Sequence, residues 1–262
     1  MTNLKIYGRI FYGIGIAGIG GMHFFYKGIR PIIAPFPPEA TANISILVYL
    51  MALYIVASGL LIAVGRYVKP TALILAVFFF ICLLLGHVPS RLQNHPENVG
   101  FWTDTIKMLA LSGGAFIAAL AYPEEGLSAV FDKLSKIAPL GIWFYALMLC
   151  IFGIEHLLAA GAISKIVPKY IPWPVFWTYM AGIALVGTGL SFLIKFKVRQ
   201  IGLLFALVLF LWLVMLHLYY AFRFPQFRDG DNIIGFFECL AFCGTALLIS
   251  VTYPSAAKAG NK

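Results

Sequence analysis

The side chains in this sequence that could carry chemistry are few and lie in apolar surroundings: His23, His87 and Lys107 in the first half, Glu155, His156, His217 and Glu238 in the second. Histidine titrates near neutrality and is the commonest metal ligand, and histidine–carboxylate chains pass protons. The set therefore points to metal ligation, to a proton relay, or to a hydrogen-bonded pocket for a polar headgroup such as that of a quinone. An ionisable side chain at mid-bilayer costs about 2.5–3.5 kcal/mol, so each of these is expected to face a partner or a water cavity. Glu155 and His156 are adjacent and so about 100° apart around a helix. Both cannot aim at one centre, which counts against a tight metal cage. Haem needs axial ligands facing across a gap, which nothing in the spacing supplies, so haem and metal are both disfavoured. The competing reading is that each histidine satisfies a backbone carbonyl and that the charged groups are interhelical glue.

The elements that must position these groups are transmembrane. Of 262 residues 61% are apolar and 11% charged, and the mean hydropathy is +0.92, whereas a soluble domain is about half apolar and a quarter charged. Apolar stretches at 9–28, 43–65, 70–89, 104–122, 140–160, 175–194, 200–221 and 233–253 predict eight helices, since roughly 20 residues cross the hydrocarbon. No segment alternates as a barrel strand would. The net charge of +9 comes without a basic block, which points to anionic lipid and not to nucleic acid. Lys5 and Arg9 before an apolar run resemble a signal peptide, but the run ends in His23, Phe24, Phe25 and Tyr26 and recurs later, so it is expected to stay as the first helix.

The recurrence extends along the chain. Phe11-Tyr12, Gly20, His23 and Pro35 match Phe144-Tyr145, Gly153, His156 and Pro168 at an offset of 133. Tyr49, Ser58-Gly59-Leu60 and His87 match Tyr179, Thr188-Gly189-Leu190 and His217 at 130, and Leu109-Ala110, Gly113 and Tyr122-Pro123 match Leu240-Ala241, Gly244 and Tyr253-Pro254 at 131. The pattern predicts an all-α polytopic membrane protein built from two four-helix repeats, 1–123 and 139–262, joined by a polar linker at 124–138. An even number of helices per repeat makes the repeats parallel, unlike inverted transporter repeats. Of the 19 Lys and Arg, eleven fall on the side of the termini, Lys258 and Lys262 among them, and eight on the far side with Lys27. That balance predicts cytoplasmic termini.

Helices one and three of each repeat run away from the termini and helix four runs back, so the candidate groups should meet near the far face. Two clusters are expected: His23 with His87 and Lys107, and Glu155 with His156, His217 and Glu238. Lys107 and Glu238 occupy matched positions with opposite charge, which fits either a pair across the pseudo-twofold or a site kept by one half only. Trp102, Trp143, Trp173, Trp177 and Tyr179 read as an aromatic belt. Gly20-Gly21, Gly113-Gly114, Gly182 and Gly189 read as close helix packing, and Gly13-x-Gly15-x-x-Gly18 as the same and not as a dinucleotide loop, since no strand precedes it. Cys82, Cys150, Cys239 and Cys243 form no Cys-x-x-Cys pair and read as packing residues.

Gly153-Ile154-Glu155-His156, Ile166-Val167-Pro168 with Ile171-Pro172, Phe176-Trp177-x-Tyr179, Gly189-Leu190-Ser191, Leu216-His217-Leu218 and Leu240-Ala241 resemble the DoxX family of small four-helix membrane proteins. The likeness is closer in the second half than in the first, so the chain resembles a fused double DoxX unit. Founding members of that family are small subunits of a thiosulfate:quinone oxidoreductase. The resemblance implies an accessory subunit of a quinone-linked membrane redox system, with a membrane or periplasmic redox protein as partner and a polar pocket on the outer face. A small-molecule or ion carrier, and a structural or chaperone-like scaffold, are the alternatives. Met22 stands where the pattern has Glu155, and Glu238 where Lys107 is the commoner choice. A site needing both groups would be assembled between the halves or lost.

Overall fold

The computed structural model describes residues 2–26, 28–36, 41, 44–94, 96–97 and 99–253, and every regular element among them is helical. Lys27, Lys258 and Lys262 of the charge balance, and Pro254 of the matched pairs, lie outside the described residues. The long elements are α1 (Thr2–Gly21), α2 (Ser45–Val64), α3 (Val68–Gln93), α4 (Thr103–Ala121), α5 (Ala129–Ile137), α6 (Gly141–Leu158), α7 (Pro174–Leu193), α8 (Val198–Arg223) and α9 (Asp231–Thr252). Seven helices among the described residues are long and apolar enough to cross a membrane: α2, α3, α4, the continuous α5–α6 stretch Ala129–Leu158, α7, α8 and α9. By length and composition the chain is a polytopic all-α membrane protein.

The expected eighth span is the difference. α1 has the length, 20 residues, but carries six glycines with Lys5 and Arg9, so its apolarity falls short of the other seven. Its bounds differ too, since it begins at Thr2 and gives way after Gly21 to a 3-10 turn at Met22–Phe24. The two cations at its start are accommodated by Tyr122. Lys5 Nζ lies 4.2 Å and Arg9 Cζ 5.3 Å from the Tyr122 ring centre, and the Tyr122 hydroxyl donates to the Lys5 carbonyl at 3.0 Å. Cation–π contact of this kind stabilises by about 0.5–1 kcal/mol or more. The linker also differs from expectation, because Ala129–Ile137 is an amphipathic helix that leads through the turn Ala138–Leu140 into α6.

Four helices form the centre. α1 packs along α9 and α2, α4 packs on α3, α6 and α9, α6 packs on α7, and α8 packs on α9. Glycines permit the closest approaches. A β-carbon at Gly13 would lie 2.5 Å from Gly59 O on α2, and one at Gly15 would lie 2.6 Å from Phe237 O on α9. The string Gly13-x-Gly15-x-x-Gly18 is therefore a packing surface toward two helices, since Gly18 also stands against the Phe237 ring. Gly113 meets Gly141 between α4 and α6, and Gly244 meets Gly8 between α9 and α1. These two contacts involve positions matched at offsets of 131 and 133.

The largest buried side chains include Tyr12 and Tyr145, and each finds a carbonyl for its hydroxyl. Tyr12 donates to Leu111 O at 2.7 Å and Tyr145 to Phe242 O at 2.8 Å. Cys239 and Cys243 pack on α8, with Sγ 3.5 Å and 3.3 Å from the carbonyls of Leu209 and Ala206, and all four cysteines are free. Trp143, Trp173, Trp177 and Tyr179 are exposed near the starts of α6 and α7, as an interfacial belt requires. Trp102 instead donates its indole N–H to Pro96 O at 3.1 Å.

Candidate functional site

α3 and α8 reach the far end of the bundle through a single π-turn each, Leu83–His87 and Leu213–His217. A π-turn inserts one residue into the hydrogen-bond ladder and re-aims the side chain beside it, a device common at functional sites. Both turns end on a histidine. Around them gather the ends of α1 and α6 and the starts of α4 and α9, so all seven candidate residues lie at one end of the bundle.

The two expected clusters do not form as drawn. Lys107 pairs from α4 to α9, its Nζ 3.0 Å from Glu238 Oε2 and 3.6 Å from Asp104 Oδ1, and bonds to neither His23 nor His87 among the described residues. The Glu238 side chain is 7% exposed, while Lys107 and Asp104 are 20% and 33% exposed. The network is thus closed on the α9 side and open on the α4 side. Charge opposition at matched positions drew the pair together, because an isolated charge at this depth would be far costlier than a partnered one.

His23 and His87 hold a loop instead. His23 Nδ1–H donates to Ile19 O and Gly20 O at 3.1 and 3.2 Å, and its Nε2 accepts the Arg30 N–H at 3.2 Å. His87 Nε2–H donates to Ile32 O at 3.1 Å, and its Nδ1 accepts the Thr105 hydroxyl at 3.5 Å. The loop they grip is buried: Arg30, Ile32, Ile33 and Ala34 are each under a tenth exposed. Arg30 donates on to Asp229 O at 3.0 Å, tying this loop to the one before α9. Burial pulls the Arg30 guanidinium below its ordinary value, and Asp229 and Asp231 act against that.

In the second half Glu155, His217 and Glu238 all lie within electrostatic range of Lys107, but no hydrogen bond joins them to one another among the described residues. Glu155 accepts the Thr103 hydroxyl at 3.3 Å, across to the start of α4. His156 folds back, its Nδ1–H donating to Phe152 O at 2.7 Å and its ring edge-on to Phe152 at 4.7 Å. Glu155 and His156 therefore point to different partners, as their 100° separation requires. His217 lies against α9, where a β-carbon at Gly235 would be 3.4 Å from Nδ1. It makes no hydrogen bond among the described residues.

Asp104, Thr103, Thr105 and Arg30 were absent from the candidate set. Asp104 had a readable signal, since it stands three residues before Lys107 on one helix and so faces it. Arg30 had none, because it reaches the site from a loop. Among the described residues no three His, Cys, Asp or Glu come together to hold a metal ion. What the arrangement offers is a partly open acid–base pair at the seam of the halves, flanked by histidines with unequal numbers of partners. Compared with family models, with curated proteins and with solved structures, the chain matches none.

Proposed function

We propose that the chain is a double DoxX-like membrane subunit whose far end binds the polar headgroup of a membrane-soluble molecule, as an accessory to a quinone-linked redox system. The observation that carries this reading is the Lys107–Glu238–Asp104 network, which is paired on one side and a fifth to a third exposed on the other. Groups that served only as glue would be expected to close completely. This network leaves donor and acceptor capacity facing the rim. The partner is a membrane or periplasmic redox protein, the setting the bacterial inner membrane with cytoplasmic termini.

The same reading takes residues 1–123 and 139–262 as parallel four-helix repeats with α1 as the eighth span. Two correspondences support it. The Tyr12 and Tyr145 hydroxyls bond to the fourth helix of their own half, and both π-turns end on matched histidines. α1 also runs antiparallel beside α9 over its depth, with Gly8 against Leu248 and Gly18 against Phe237. A carrier would need a polar path through the bundle, and the middle of this one is filled by Ile16, Ile55, Phe79, Tyr145 and Phe192. Native mass spectrometry of protein purified in mild detergent tests the proposal. It should report a bound carbonyl-bearing lipophile, and protein that carries none and takes up none when offered a quinone would overturn the reading.

A further inference from the structure

Matched positions in the two halves have come to do different work, and the difference isolates one side chain. In the first half both histidines are consumed by the loop at 28–36, which gives an N–H to His23 and a carbonyl to His87. In the second half neither histidine has that bond. The position matched to Ile32 is Lys165, which is exposed, and the position matched to Thr105 is Phe236, which has no hydroxyl. The position matched to Asp104 is Gly235, which sets only a hydrogen against the His217 ring. The Thr105 hydroxyl and the Asp104 carboxylate thus have no counterpart at His217, which makes no bond to the Lys165 carbonyl among the described residues and has Lys107 as its charged neighbour.

The anchoring itself has not been lost but moved. The loop before α7 is fastened by Tyr170, whose hydroxyl donates to the Met215 carbonyl inside the second π-turn. The histidine is therefore not needed to hold its loop. His156 keeps its bond to Phe152 O, and its Nε2 has no hydrogen bond among the described residues. His217 is only partly covered. A neutral imidazole without partners offers one N–H donor and one lone pair, and leaving both unused in an apolar bundle is unfavourable unless something else fills them.

We propose that His217 is the recognition donor of the far-end site, giving its ring N–H to a carbonyl oxygen of a membrane-soluble ligand in the place that the Ile32 carbonyl takes at His87. This rests on the far end being a ligand site. The shared chemistry is a carbonyl acceptor on an apolar body, and either a quinone ring or an acyl-ester lipid supplies it.

The test uses full-length protein in detergent, decylubiquinone and dioctanoyl-phosphatidylglycerol as separate probes, each carbon-13 labelled at its carbonyls, and infrared difference spectra. One probe should bind the parent with its carbonyl band displaced to lower frequency, and which one does so identifies the source. In His217→Leu that displacement should vanish and binding weaken by about tenfold, the value of one hydrogen bond. In His87→Leu the displacement should persist while thermal stability falls. His217→Gln keeps an N–H donor and serves if the leucine variant does not fold; its band should stay displaced. A His217→Leu protein that binds with the parent's affinity and displaced band overturns this inference alone, as does a His217→Gln protein that binds with the band of the free probe. A parent that binds neither probe overturns the far-end site and this inference with it.

Discussion

At the scale of single residues, the far end shows how opposite charges at matched positions become a bond. Lys107 and Glu238 lie 3.0 Å apart with the carboxylate nearly covered. Removing one partner of such a pair leaves a charge without compensation, whereas replacing both by apolar groups of similar volume is often neutral. Lys107→Met alone should therefore destabilise by about 2–3 kcal/mol, below the fully buried limit because the lysine side is partly open. The double variant Lys107→Met/Glu238→Leu should return to within about 1 kcal/mol of the parent, since Asp104 keeps access to solvent. Thermal melting of the two single variants and the double variant checks this as a mutant cycle. Additive losses would show that the two side chains do not act as a pair. The histidines teach a different point. Their depth was readable from helix direction, but the partners of His23 and His87 are backbone groups of the loop at 28–36. A run such as Ile32-Ile33-Ala34 carries no sign that its carbonyls will be claimed.

At the scale of elements, glycine placement decides which helices can touch. A β-carbon at Gly13 would meet the Ala63 nitrogen and the Gly59 carbonyl oxygen at 2.5 Å, both backbone atoms that cannot move aside. Gly13→Ala should cost about 1–3 kcal/mol by forcing α1 from α2. Gly21→Ala, with nothing within 4 Å of its β-carbon, should be neutral or stabilising by up to about 1 kcal/mol. Melting temperatures of the two variants in one detergent measure the contrast, and equal losses would remove the packing account. The later seven spans were legible because each is a long apolar run, broken by only a few ionisable residues and bounded by charge or proline. The end of α1 was misplaced because Met22–Tyr26 continues the apolar pattern while the backbone has already turned at Met22–Phe24. The helix at Ala129–Ile137 was hidden for the opposite reason, since Asp132, Lys133 and Lys136 make an amphipathic surface helix read as a polar linker. The π-turns had no sequence signal at all. They alter the ladder without altering the apolar pattern that announces the helix.

At the scale of the whole molecule, the status of α1 fixes the topology. Eight crossings place the start of α1 and the end of α9 on one side of the membrane, and seven would place them on opposite sides. The antiparallel contact of Gly8 with Leu248 predicts the former, and reporter fusions after residue 1 and after residue 253 should report the same side. Opposite sides would contradict the eight-span reading and the parallel repeats together. We propose that the Lys107–Glu238–Asp104 network is a binding site and not only a lock between α4 and α9. The doubly substituted Lys107→Met/Glu238→Leu protein separates the two, because it should fold with nearly the parent's stability while lacking the charges. Native mass spectrometry of parent and double variant, purified alike from the same membranes, is the most direct measurement. A binding site there predicts a carbonyl-bearing lipophile on the parent and its loss from the equally stable double variant. The same load on both proteins, or none on either, would contradict it.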